Sequence, residues 1–300
     1  MRAASTQLNR VLEGLMQRYQ NRVPDVQGII NAMIREQLIG SADDIENDHI
    51  AFRTLGVPHL GIQSLEKIFI QLGYVKKDYY FFPEKKLDAF WYAPPEPTLP
   101  RIFISELRVQ ELSEKSKQII HSYTSTIITD PVDQLNLADA SVIDAFLHSG
   151  LWELPSASDY KALLEESEYA AWVIYNRYYL NHFTVSVHHL KAGYNTIPAF
   201  NEFLERNGFI LNDAGGKVKI SPDGLLLQSS TIARMIKAVF AGGEELEIPG
   251  SYVEFAERKP LPEYSGLPIG MLTGIHRREG FEAANANRIF ESTYRTQTNR

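Results

Sequence analysis

An internal repeat constrains this chain more than any other feature: two stretches carry the same elements in the same order. Asp48-His49-Ile50-Ala51-Phe52-Arg53-Thr54 is short and rich in β-formers and reads as a strand, as does Asn181-His182-Phe183-Thr184-Val185-Ser186-Val187. A helical stretch follows each one. In the first copy Leu65, Ile68, Phe69 and Leu72 recur at helical spacing before Gly73; in the second, residues 197–206 run up to Asn207-Gly208. Strand-like runs then lead to a last strand in each copy, 102–107 in the first and 251–256 in the second. His182 follows His49 by 133 residues, Gly208 follows Gly73 by 135, and Glu254 follows Glu106 by 148, so one loop insertion in the second copy absorbs the drift. Two βαβββ modules side by side build a curved, open mixed sheet around a shared cavity, an α+β fold.

The remaining sequence is predominantly helical. Residues 1–45 carry Leu8, Val11, Leu12, Leu15 and Met16 at helical spacing, break near Pro24, and resume with Ile29, Ile30, Met33 and Ile34. Residues 113–180 read as a helical insert, interrupted at Asp130-Pro131 and Pro155. The expected organisation is a single catalytic domain over 1–300: N-terminal helices (1–45), first β-module (46–112), insert (113–180), second β-module (181–260) and C-terminal segment (261–300).

Composition narrows the function. There is no cysteine, which excludes disulfides, thiolate zinc sites, iron–sulfur clusters and cysteine nucleophiles, so any metal must be held by nitrogen and oxygen. A net charge of -7 gives no pull toward nucleic acid or an anionic membrane. No stretch approaches the roughly 18 uninterrupted apolar residues of a membrane helix, and the N-terminus has no signal-peptide pattern. A cytoplasmic protein is expected, with a homo-oligomer left open.

Side chains alternate faces along a strand, so His49 and Arg53 project together, as do His182, Thr184 and Ser186, and Tyr252, Glu254, Ala256 and Arg258. Three strands thereby offer His49, His182 and Glu254 inward. Two imidazoles and one carboxylate are the set that suits Fe(II) in oxygenases and leaves coordination positions open. His188 shares the face of His182 by alternation and remains a competitor, read as a rim residue. An isolated acid at 254 in an otherwise apolar strand would be costly without a cation. Glu257 points the other way and reads as solvated, pairing with Arg258 or Lys259. Arg53 lies about 13 Å along the strand from His49. It suits either a substrate's distal carboxylate or a structural salt bridge with Glu106 or a nearby Asp.

The segments DHIAFRT (48–54), LNHFTVSV (180–187), LLLQSST (225–231), YVEFAER (252–258) and ANANRIFEST (284–293) together resemble the 2-oxoadipate dioxygenase/decarboxylase family, also called hydroxyglutarate synthases. The resemblance runs from about residue 25 to 294. Its wider relatives are the vicinal-oxygen-chelate enzymes, and YVEFAER is similar to the metal-Glu strand of 4-hydroxyphenylpyruvate dioxygenases. The resemblance implies His49, His182 and Glu254 as Fe(2+) ligands and Arg53 as a substrate-carboxylate contact. Gln228, in a matching motif, is read as a pocket residue for substrate. The implied reaction turns 2-oxoadipate and O₂ into 2-hydroxyglutarate and CO₂, a step of lysine breakdown, with no separate co-substrate. Two alternatives stay open: a glyoxalase-like isomerase or lyase using Zn²⁺ or Ni²⁺, in which Glu106 would be a fourth ligand, and a non-enzymatic binding protein.

Overall fold

The computed structural model describes residues 2–299, so Met1 and Arg300, the ends of the expected span, lie outside the described residues. Two N-terminal helices, α1 (Arg2–Arg22) and α2 (Pro24–Arg35), divide at Pro24, as the sequence predicts. The first module follows as β1 (Asn47–Leu55), α3 (Ile62–Gln71), β2 (Val75–Phe82), β3 (Leu87–Ala93) and β4 (Arg101–Leu107). The insert holds α4 (Glu114–Thr124), α5 (Ala140–Leu147), α6 (Ala157–Glu166) and α7 (Glu168–Asn176). The second module is β5 (His182–Ser186), α8 (Ile197–Arg206), β6 (Lys219–Ile220), β7 (Leu226–Ser230), β8 (Met235–Val239), β9 (Glu245–Pro249) and β10 (Tyr252–Arg258). The chain closes with α9 (Ala283–Ile289) and α10 (Arg295–Thr298).

Eight strands form one sheet in the order β2-β3-β4-β1-β5-β10-β7-β6. β1 and β5 meet antiparallel at its centre, and each pairs in parallel with the last strand of its own module, β4 or β10. The order is therefore palindromic about the β1–β5 seam, and the two modules are related by a pseudo-twofold. β8 and β9 stand outside it as a separate two-stranded hairpin. That hairpin is the insertion behind the drifting offset; its half-exposed, Lys- and Glu-bearing strands carry too little alternation to be read from sequence.

Pairing register corrects one part of the repeat. His49 lies beside Arg101 and Ala51 beside Phe103, while His182 lies beside Tyr252 and Thr184 beside Glu254. Superposing His49 on His182 puts Ala51 on Thr184, so Phe103, not Glu106, occupies the place of Glu254. Glu106 corresponds instead to Glu257, 151 residues later. The chemistry agrees: the Glu106 carboxylate accepts from Ile62 N at 2.8 Å and that of Glu257 from Ile197 N at 2.8 Å, the first residues of α3 and α8. Each acid satisfies an orphan donor at its module's helix start. Glu257 is accordingly buried, not solvated as its sequence context suggested.

Both module helices end alike. Gly73 and Gly208 take φ of +96° and +84°, which admits a Schellman closure: Tyr74 N bonds Phe69 O and Phe209 N bonds Leu204 O. The helices cover the convex face of the sheet, where Phe52 packs on Phe69 and Phe255 on Phe200, with ring centroids 5.4 and 5.1 Å apart. The concave face is left for the polar inward set, and residues 280–293 lie across it.

Candidate metal centre

The central strands place His49, His182 and Glu254 on the concave face, all buried. Their ligand atoms converge: His182 Nε2 is 3.3 Å from His49 Nε2 and 3.1 Å from Glu254 Oε2, and His49 Nε2 is 3.6 Å from that oxygen. Two donors at right angles around an ion with bonds of about 2.1 Å stand about 3 Å apart, so this triangle fits one face of an octahedron. Three electron-rich atoms pointed at one buried spot are unfavourable without a cation, and that makes the set a candidate metal site.

Each ligand is held from behind, as metal ligands are. Asp48 meets His49 Nδ1 at 2.8 Å and Asn181 Oδ1 meets His182 Nδ1 at 3.1 Å, so in both modules the residue before the histidine turns its Nε2 inward. Asp48 is gripped by Arg258 through Nε at 2.6 Å and Nη2 at 2.9 Å, with Arg101 Nη1 at 3.5 Å. Burial pushes the Asp48 carboxyl up, but Arg258 and Arg101 outweigh it and hold it well below the usual range. Burial pushes His49 down, yet Glu254 and Asp48 raise it overall. Burial and then the charges of His49 and Arg53 hold His182 well below its ordinary value. Gln228 Nε2 donates to Glu254 Oε1 at 2.6 Å, so Gln228 orients the Glu254 carboxylate.

The cavity over the triad is about 20 Å³, room for about one water. Phe103, Tyr252, Phe281, Ile289 and Phe290 wall it with apolar surface. Phe281 stands edge-on to His49, ring centroids 4.8 Å apart.

Arg53 is 1% exposed. It ion-pairs with neither Glu106 nor an Asp among the described residues; Nη1 donates to Thr293 Oγ1 at 2.9 Å and Nη2 to Phe290 O at 3.0 Å. Tyr169, Trp172 and Phe290 surround the guanidinium at 5.2, 5.2 and 5.6 Å. Among the described residues its Nε makes no hydrogen bond, and the Tyr252 hydroxyl lies between Arg53 and Ser292. Burial above all raises Tyr252 far beyond any working pH, so its hydroxyl stays a donor. The buried, unpartnered Arg53 Nε, next to the Tyr252 hydroxyl that lines the cavity, is a candidate place for an anion.

The competitors fall elsewhere. β5 ends at Ser186 and residues Val187–His189 turn into a 3₁₀ helix, so alternation no longer carries His188 inward. Its Nδ1 instead accepts from Arg258 N at 3.2 Å, and burial, with His189 nearby, pushes it down to about 3. Glu106 caps α3, and Phe103 fills the position from which a fourth ligand would come.

The family profile for 2-oxoadipate dioxygenase/decarboxylase matches residues 11–267. The chain belongs to that family. A relative named 2-oxoadipate dioxygenase/decarboxylase, chloroplastic, from Arabidopsis thaliana is 42% identical over 99% of this chain and 80% of that protein. The crystal structure of hydroxyglutarate synthase in complex with 2-oxoadipate from Oryza sativa superposes with a TM-score of 0.88 at 43% identity, covering 99% of this chain and 95% of that one. A glyoxalase-superfamily protein from Ralstonia eutropha shares the fold at 20% identity and a TM-score of 0.70, covering 91% and 85% of the two chains. The family's curled mixed sheet is thus the vicinal-oxygen-chelate architecture expected from the repeat.

Within it, sequence reading missed Tyr252, Asp48 and Asn181. Tyr252 was visible as an inward neighbour of Glu254. The two residues preceding the histidines had no signal, because alternation alone sends them to the opposite face.

Proposed function

We propose that this chain is a single-domain, Fe(2+)-dependent dioxygenase that converts 2-oxoadipate and O₂ to 2-hydroxyglutarate and CO₂, a step of lysine breakdown, working in the cytoplasm. The observation that carries the reading is the convergence of two imidazoles and one carboxylate on a spot where Phe103 replaces a fourth ligand. Three protein ligands leave coordination positions open for a chelating 2-oxo acid and O₂, whereas the isomerase alternative loses its candidate fourth ligand. Fe(2+) held by His49, His182 and Glu254 would bind the 2-oxo acid and activate O₂, while the substrate itself supplies the electrons, two on decarboxylation and two on hydroxylation of the remainder.

The chain's own residues supply geometry. Asp48 and Asn181 keep both Nε2 atoms presented to the site, and Gln228 leaves Glu254 Oε2 to face it. Arg53 takes the distal carboxylate of the substrate through its unpartnered Nε side, with Tyr252 Oη as a second donor. The aromatic wall excludes water and holds the five-carbon remainder beside the centre after CO₂ departs.

Oxygen uptake with 2-oxoadipate after anaerobic reconstitution with Fe(2+) tests this. Uptake with CO₂ and 2-hydroxyglutarate in equal amounts is expected. Turnover of 2-oxoadipate or a glutathione adduct with Zn²⁺ or Ni²⁺ and no O₂ would replace the proposal by the isomerase reading.

A further inference from the structure

The geometry points to Asn285 as a positioning residue for the metal centre, acting through Gln228 to hold the Glu254 carboxylate in its ligand orientation. This rests on the reading of His49, His182 and Glu254 as a metal site.

Glu254 divides its oxygens. Oε2 faces the two imidazoles, and Oε1 accepts from Gln228 Nε2 at 2.6 Å. A carboxylate tolerates only the nitrogen end of that amide, but the last torsion of a glutamine side chain is soft and sets little by itself. What fixes it is the far end: Gln228 Oε1 accepts from Asn285 Nδ2 at 3.0 Å. Asn285 is fixed in its turn. Its Nδ2 also lies 3.4 Å from the carbonyls of both Lys219 and Leu226, so three acceptors surround one nitrogen and exclude the amide oxygen from that place. Asn285 and Gln228 are 2% and 3% exposed, so water does not substitute for either partner. Polarity therefore passes from two sheet-edge carbonyls, through Asn285 and Gln228, to the metal carboxylate.

Asn285 belongs to α9, the helix that lies across the cavity, not to the sheet. The same segment reaches a second ligand: Gly280 O accepts from Arg258 Nη1 at 2.7 Å, and Arg258 holds Asp48, which holds His49. Docking the C-terminal segment and orienting the metal ligands are thus one event, and an undocked α9 leaves Glu254 free to turn away.

The test is Co(II) titration of chelator-stripped full-length protein, followed by its visible absorption spectrum, with far-ultraviolet circular dichroism to verify folding. Asn285→Ala is expected to weaken Co(II) binding about 10-fold and alter the band shape, the lower end for an outer-sphere partner. Asn285→Asp, which needs a donor from Gln228 and so turns the amide oxygen toward Glu254, is expected to approach about 100-fold. The deciding measurement is a cycle with Gln228→Ala: in that background Asn285→Ala should add less than about twofold, because the route to Glu254 is already cut. Equal losses in both backgrounds would overturn the inference, as would single variants that bind Co(II) with wild-type affinity and spectrum. If Asn285→Ala does not fold, Asn285→Leu, which removes the donor while keeping the volume, runs the same cycle. Wild-type protein that takes up no Co(II) would sink the metal reading and this inference with it. Wild-type binding that His182→Ala abolishes keeps the metal reading, whatever Asn285 does.

Discussion

Arg53 offers the sharpest test of how substrate is read. Its two Nη groups each commit one hydrogen to acceptors that lie 3.4 Å apart, Thr293 Oγ1 and Phe290 O, so the end of the fork is occupied. The side bearing Nε is buried and unpartnered. A carboxylate entering there would gain two charge-assisted hydrogen bonds of about 1.5–3 kcal/mol each, about 3–6 kcal/mol together. At 1.36 kcal/mol per tenfold, Arg53→Ala should lower kcat/KM for 2-oxoadipate by roughly 10²–10⁴. Arg53→Lys keeps the charge without the fork and should lose about 10–100-fold.

Truncation also disturbs the three rings and two acceptors around Arg53, so the assay compares substrates as well as variants. 2-Oxohexanoate has the same 2-oxo acid end and no distal carboxylate. The wild type should prefer 2-oxoadipate strongly, and Arg53→Ala should erase most of that preference while changing turnover of 2-oxohexanoate little. Equal losses on both substrates would show that Arg53 only supports the fold at Phe290 and Thr293, and the proposed carboxylate contact would be wrong.

Three further outcomes follow from the same geometry. His182→Ala should abolish metal binding and activity, whereas His188→Ala, which removes one hydrogen bond to Arg258 N, should keep both and cost about 1 kcal/mol in a melting experiment. Phe281→Ala removes the ring beside His49 and Phe103; it should destabilise by about 3–5 kcal/mol and, with water admitted, make O₂ uptake exceed 2-hydroxyglutarate formed. Away from the site, Glu166 accepts from Ser113 N and Ser116 Oγ, tying α4 to α6; burial pushes it up, but these hydrogen bonds bring it down to about 2. A depressed carboxyl contributes stability above its unfolded value, near 4.3, that is lost as pH falls toward the folded one. The stability gap between wild type and Glu166→Gln should be about 1 kcal/mol at neutral pH, given partial screening, and should close between about pH 4.5 and 2 in thermal melts.

Much of the architecture was legible because it is encoded by period and punctuation. β1 and β5 alternate cleanly, α3 and α8 end at glycines with positive φ, and the repeat predicted two modules on one sheet. Selecting His49, His182 and Glu254 rested on strand parity, the internal repeat and the absence of cysteine, with His188 left as a competitor on parity alone. What failed was register. Pairing Glu106 with Glu254 slipped the last strand of the repeat by three residues, because the two acids sit in similar apolar strands and the β8–β9 hairpin made any nearby offset acceptable. Strand parity breaks where strands do: it misled at His188 because β5 stops at Ser186; at Glu257 parity held, and only the reading of that face as solvated failed, because α8 covers it. Asn285 carries no pattern at all, since its partners are 57 or more residues away in sequence.

The corrected register also explains how a nearly symmetric cavity gives direction to an elongated substrate. His49 and His182 are equivalent and sit on either side of the seam, so the metal position lies close to the pseudo-twofold. The symmetry is broken on both sides of it. Phe103 stands where the second module has Glu254, which reduces a possible four-ligand cage to three. Arg53 corresponds by the same 133-residue offset to Ser186, so the fork that can take a carboxylate exists at one end only. Of the other buried cations on the inward face, Arg258 is taken by Asp48, and Lys219 donates to Asn212 O at 2.7 Å while burial pushes its amine down to about 8, which weakens it as a competing anchor. On the proposed reading, a dicarboxylate chelated at the centre would have one favourable orientation, with its far acid toward Arg53. Moving the guanidinium, by Arg53→Ser with Ser186→Arg, should not reverse the substrate productively, because the Tyr169 and Trp172 rings and the Tyr252 hydroxyl beside Arg53 would not move with it.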